Sequence, residues 1–155
     1  MKISYAISVQ GTVFSSVAQG DWLKKIKYLS GLGYPGVELA IRDPFKIKPM
    51  ALDKALSKNR IFLAAIGTGQ MFLDEGLSIS SCDKQARVEA IKRIKKHIDL
   101  ARVFGSQVIL GLARGRASGD RPESLRNFIE SMRMISDYAS ANRTIITIEP
   151  INRYE

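Results

Sequence analysis

Cysteine and histidine are almost missing from this chain: Cys82 and His97 are the sole representatives of their types in 155 residues. One cysteine closes no internal disulfide, and without a CxxC pair or a Cys/His cluster the chain cannot assemble a thiolate metal site. A reducing, cytoplasmic setting is the expectation that follows. Long apolar runs are missing too, and none approaches the ~20 residues that cross a bilayer, so no membrane partner is expected. The opening segment Met1–Val9 is interrupted by Ser4 and Tyr5 and followed by Gln10-Gly11, which fits a first strand better than a signal peptide. Neither GxGxxG nor GxxxxGK[ST] occurs, so the phosphate loops of nucleotide-binding sheets are absent.

Acidic residues are outnumbered. The net charge is +9 and the pI about 9.8, values that by themselves favour a polyanionic partner. The cations are nevertheless scattered along helix faces, as at Lys24, Lys25 and Lys27 or Lys92, Arg93, Lys95 and Lys96, with no aromatic RNA-binding motif and no finger. No nucleic-acid partner is expected.

Strand-length apolar runs alternate with helix-period segments along the whole chain. The first strand spans about Lys2 to Ser8. Its helix starts at an Asp21 cap, carries Trp22, Leu23, Ile26 and Leu29, and stops at Gly33 before Pro35. Gly36–Ile41 is the second strand, followed by the Arg42-Asp43-Pro44 turn and a short helix from Pro49 to Asn59. Ile61–Ile66 is the third, running into a loop Gly67-Thr68-Gly69-Gln70. The next helix, Asp83 to Phe104 with Ser81 as cap, bears a stripe of Val88, Ile91, Ile94, Ile98 and Ala101 and ends at Gly105. Gln107–Leu112 is the fourth strand. A helix from Pro122 then buries Leu125, Phe128, Ile129, Met132 and Ile135, and Thr144–Glu149 is the fifth strand.

Near-continuous apolar strands separated by amphipathic helices mean a parallel sheet covered by helices. With no phosphate loop to support an open doubly wound sheet, a barrel of the (β/α)₈ type is the better fit. Such a barrel takes about 250 residues. The expectation is therefore a single domain over residues 1–155, an incomplete barrel of about four βα units plus a fifth strand.

Glu149 is the most informative position, because barrel enzymes place catalytic groups at the carboxyl ends of their strands. If Ile146 and Ile148 face the helices, Ile145, Thr147 and Glu149 face the interior; the alternative is a strand-end acid that only meets solvent. Pro150 stiffens the exit from the strand. Glu155 follows, with Asn152, Arg153 and Tyr154 between. Gln70, Arg114 and Arg116 follow the third and fourth strands and so lie on the same rim. An arginine fork suits a carboxylate, against the plainer alternative of solvated loop cations. Glu38 points inward by alternation and reads as a structural partner, His97 as a surface or boundary residue, and Cys82 as incidental.

Four segments carry a resemblance: Glu38-Leu39-Ala40-Ile41-Arg42-Asp43-Pro44, Ala65-Ile66-Gly67-Thr68-Gly69-Gln70, Gly111-Leu112-Ala113-Arg114-Gly115-Arg116 and Ile148-Glu149-Pro150-Ile151-Asn152-Arg153-Tyr154-Glu155. Together, in this order, they resemble the xylose-isomerase-like sugar isomerases and epimerases, and within them the ketose 3-epimerases. The likeness runs the length of the chain, in register with the first five barrel strands. It implies a divalent-metal-dependent epimerase or isomerase of a keto-sugar or keto-sugar acid that works through an enediolate, with Mn²⁺ or Mg²⁺ as cofactor. It makes Glu149 both a metal ligand and one of two acid/base carboxylates, and Glu155 a group that hydrogen-bonds a substrate hydroxyl; Gln70, Arg114 and Arg116 are the further substrate-binding candidates. The family's remaining ligands, an Asp, a His and a second Glu, lie on later strands, so this chain alone is expected to be inactive. Two other readings stand beside it. One is an apurinic endonuclease of the endonuclease IV type, which would resemble a histidine-rich three-zinc site. The other is a non-catalytic half-barrel that forms homo-oligomers through exposed sheet edges.

Overall fold

The computed structural model describes residues 3–15, 17–116 and 121–150. Five strands form one parallel sheet in sequential order: β1 (Ser4–Ser8), β2 (Gly36–Ala40), β3 (Phe62–Gly67), β4 (Gln107–Leu110) and β5 (Ile146–Ile148). Between them lie α1 (Trp22–Gly31), α2 (Pro49–Asn59), α3 (Gln70–Glu75), α4 (Lys84–Phe104) and α5 (Arg121–Ala141), with single 3₁₀ turns at Pro44–Lys46 and Leu112–Arg114. Sequential parallel order with a helical crossover after each strand is the arrangement of a (β/α) barrel, here as a partial one with β1 and β5 as the outer strands.

Register explains which face is which. Ile7, Leu39, Ile66, Val108 and Ile146 pair in one row across all five strands. The first four are sealed from solvent, and each contributes about 2 kcal/mol relative to an exposed position. This row faces the helices. The alternate row, Ser8, Ala40, Gly67, Ile109 and Thr147, faces the barrel interior, where Thr147 donates to Gln107 Oε1 at 2.7 Å. Glu149, two residues beyond Thr147, keeps the ladder going through its N–H to the Leu110 carbonyl at 3.1 Å.

The helices follow their sequence signals with four departures. Asp21 caps α1 through the amides of Leu23 and Lys24, as expected. The cap of α4 is Asp83, not Ser81; Asp83 Oδ1 accepts from Gln85 and Ala86, whereas Ser81 Oγ accepts from the Asp83 amide one step earlier. Val88 is 55% exposed and lies off the buried stripe of Ile91, Ile94, Ile98 and Ala101. On α5, Leu125 and Ile129 are exposed while Ser124, Asn127 and Ser131 are buried beside Ile135 and Ala139. The reason is what α5 covers: irregular chain between α3 and α4, whose carbonyls need donors. Ser131 Oγ donates to the Ile79 carbonyl at 2.8 Å and Asn127 Nδ2 to that of Ser81 at 3.2 Å.

His97 departs furthest, being fully buried rather than a surface or boundary residue. Its Nε2 lies 2.9 Å from the Ile41 carbonyl, an acceptor, so the ring donates there as the neutral tautomer. Burial pushes its pKa down to about 4.

Candidate active site

The carboxyl ends of the strands enclose a cavity of about 210 Å³, lined among others by Glu38, Gly67, Thr68, Gln70, Ile109 and Glu149. Glu38 enters from the interior face of β2 and Glu149 from the end of β5. Gly67 on β3 makes room: a Cβ there would come within 3.2 Å of Glu38 Oε1, so the carboxyl group leans directly on that backbone. The Glu38 pKa is raised, first by burial and then by the charge of Glu149. The Glu38 and Glu149 carboxyl groups form an acidic floor within a protein of net charge +9.

Gln70 is the first residue of α3 rather than part of a loop. The segment Gly67-Thr68-Gly69 carries no helical pattern, and the short helix it introduces, Gln70–Glu75, is held by tertiary bonds. The Gln70 side chain is 1% exposed; Nε2 donates to Ser8 Oγ at 2.8 Å, and Oε1 is a buried acceptor without a partner. A buried orphan acceptor on a cavity wall marks a place for a donor. Thr68 Oγ1 donates to the Ile109 carbonyl at 3.0 Å.

Around this floor the loops are tied into a rim. Gln10 Oε1 accepts from the amides of Arg42 and Asp43, 2.9 Å each, and its Nε2 donates to the Asp43 carbonyl at 2.7 Å. Asp74 on α3 accepts from Thr12 Oγ1 and the Val13 amide at 3.1 and 2.9 Å and pairs with Arg42 at 3.5 Å. Glu75 bridges Arg42 and Arg93 at 3.2 and 2.8 Å. Phe14, which lines the cavity, thereby sits on a loop fastened to both β2 and α3.

The expected site residues do not all converge. Gln70 and Glu149 share the cavity; Glu38, taken as structural from the sequence, joins them. Arg114 lines a different cavity beside α5, and the Arg116 guanidinium lies 5.9 Å from the centre of the Phe72 ring. Glu155 lies outside the described residues. Strand alternation was the available signal for Glu38. None existed for Phe14 or Val17, which become site residues only through loop packing.

The xylose isomerase-like TIM barrel model matches residues 26–155. The chain belongs to that family. Among the family's curated proteins, the L-ribulose 3-epimerase of Methylomonas sp. (strain DH-1) is 28% identical over 148 residues, covering 90% of this chain and 50% of that protein. The crystal structure of D-allulose 3-epimerase from Methylomonas sp., solved with D-allulose, superposes with a TM-score of 0.71 at 22% identity, over 98% of this chain and 52% of that one. An AP endonuclease, family 2, from Brucella melitensis superposes with a TM-score of 0.73 at 17% identity, over 99% and 57%. The chain thus spans about half the length of the curated relative it matches, as a partial xylose isomerase-like barrel.

Proposed function

We propose that this chain supplies the first half of the active site of an epimerase or isomerase of a keto-sugar or keto-sugar acid. The observation that carries this reading is the meeting of Glu149, Glu38 and the unsatisfied Gln70 Oε1 in one cavity at the carboxyl ends of parallel strands. The 3-epimerase relatives supply the substrate class. Glu149 acts as acid/base, moving a proton at the carbon beside the ketone on the way to an enediolate. Gln70 Oε1 accepts from a sugar hydroxyl, and Glu155 is assigned a second hydroxyl.

The site's donors fit a hard divalent ion, Mn²⁺ or Mg²⁺, in kind, since carboxylate oxygens suit such an ion and the Glu149 carboxylate lines the cavity. They fall short in number: among the described residues no group of three or more His, Cys, Asp or Glu converges. Glu149 would be the ligand from this chain, and the bound ion would acidify the carbon-bound proton. Glu149 serves one face of the carbon and Glu38 is read as its structural neighbour, so inversion needs a second acid/base and the chain alone is inactive.

The endonuclease reading is supported less well. A histidine-rich zinc site needs imidazoles on the rim, and the single histidine of the chain is sealed against Ile41. No helix among the described residues is long and apolar enough to cross a membrane, and a cytoplasmic setting goes with this proposal. Homo-oligomers form through the outer strands, where Tyr5, Ile145 and Ile148 are exposed.

Saturation-transfer NMR with D-allulose and L-ribulose, with and without Mn²⁺, tests the reading. Weak ketose binding that Glu149→Gln abolishes is expected, with little dependence on the ion because this chain brings a single ligand. Ketose binding indifferent to Glu149→Gln, or no ketose binding at all, sinks it.

A further inference from the structure

We propose that the cavity beside α5 is an anion site fitted to a phosphate group. The cavity measures about 270 Å³ and is lined by Ser80, Arg114, Gly115, Arg121, Ser124, Leu125 and Phe128, so it shares no described lining residue with the Glu149 cavity. Two arginines from separate segments line it, Arg114 from the 3₁₀ turn after β4 and Arg121 from the first position of α5. No carboxylate is among the described residues that line it.

Three features add donors of the right kind. The 21-residue helix α5 begins at the cavity, and the start of a helix carries partial positive charge, although Pro122 offers no amide N–H and Glu123 lies in the first turn. Ser80, which lines the cavity, is only 7% exposed, and its Oγ is buried without any hydrogen-bond partner. A native buried hydroxyl without a partner calls for a ligand or water to complete it, and a serine rotor reorients at little cost to meet one. Ser124, 3.6 Å from Cys82 Sγ, places a second hydroxyl on the wall.

The backbone is shaped to hold these groups. Gly115 has φ +87° and lies so close to the Ser80 and Ser78 hydroxyls that an added Cβ would overlap both. That contact fixes the exit of the 3₁₀ turn, and with it the base of Arg114. Two forked cations, hydroxyl donors and a helix start exceed what a monoanionic carboxylate uses and match a tetrahedral dianion. Under this proposal Arg114 serves a phosphate in a separate cavity, not the substrate carboxylate on the Glu149 rim for which the sequence makes it a candidate.

Calorimetric titration of this chain with inorganic phosphate at ~150 mM salt, where loose surface pairing is screened, reads the site directly. Saturable binding is expected, with Arg114→Ala and Arg121→Ala each weakening it about tenfold, as loss of a charge-assisted contact requires. Ser80→Ala weakens it several-fold, and Arg126→Ala, an exposed change elsewhere on α5, leaves it unaltered. Should an alanine variant fail to fold, Arg114→Gln and Arg121→Gln stand in. Tighter binding of glycerol 3-phosphate than of inorganic phosphate supports a site for a phosphorylated metabolite, and equal binding one for the free ion. No saturation by about 20 mM phosphate, or affinity unchanged in the arginine variants, overturns the proposal. The titration uses neither metal nor ketose, so its failure is distinct from failure of the epimerase reading.

Discussion

Gln70 Nε2 donates to Ser8 Oγ across 2.8 Å, joining the start of α3 to the end of β1 although 62 positions separate them in the chain. The same amide presents its unsatisfied oxygen on the wall shared with Glu38 and Glu149. One side chain therefore both pins the cavity wall and offers it an acceptor.

Gln70→Ala removes both functions. It should lower stability by about 1–2 kcal/mol, since it deletes a buried hydrogen bond, and weaken ketose binding about tenfold. Urea unfolding and the NMR titration measure the two separately. Normal stability with normal ketose affinity would show that Gln70 has neither role.

His97 gives a pH signature. Its folded pKa, about 4, lies below the unfolded value near 6.5, so between these limits the unfolded chain binds more protons and stability falls as pH falls. The loss reaches about 3 kcal/mol by pH 4, and at neutral pH it is absent. His97→Gln should flatten this part of the stability–pH curve, measured by urea midpoints from pH 7 to 4.5. An unchanged slope would mean that His97 protonates freely while folded.

Glu38 predicts the opposite trend. A carboxyl group whose folded pKa is raised destabilises the fold once pH exceeds the unfolded carboxylate pKa of about 4.3, because the native state must ionise it at a cost. Glu38→Gln should therefore stabilise the protein at pH 7 and lose that advantage below about pH 4. Thermal unfolding at the two pH values decides; a variant less stable at pH 7 would contradict the cost that burial, and then Glu149, puts on ionising Glu38.

Asp74, with a side chain only 5% exposed, holds the Thr12–Phe14 segment and pairs with Arg42. Asp74→Ala leaves Arg42 with Glu75 alone and frees the loop, at a cost of about 2–4 kcal/mol. Limited proteolysis should cut near Val13 in the variant and not in the parent.

The outer strands predict self-association that depends on protein concentration. Ile148→Lys places a charge on β5, where Ile148 is 48% exposed, and should shift sedimentation toward monomer. A parent chain that is monomeric at all concentrations defeats the prediction.

Local signals settled much of this protein. The switch between periods of 2 and 3.6 is written in consecutive residues, so the five strands, the long helices, the Asp21 cap and the inward aim of Glu149 are legible in the amino-acid order itself. What tertiary structure alone decided concerns polar residues whose partners are distant in sequence. His97 has the spacing of a boundary residue because its acceptor, the Ile41 carbonyl, is 56 positions away. The buried serines and Asn127 of α5 answer carbonyls in irregular chain that no periodicity announces. Arg114 and Arg116 are two residues apart yet reach a cavity and an aromatic ring respectively, because the Leu112–Arg114 turn ends between them. Apolar residues declare their side of an element by spacing alone; a polar one is placed by whichever partner, far along the chain, satisfies it.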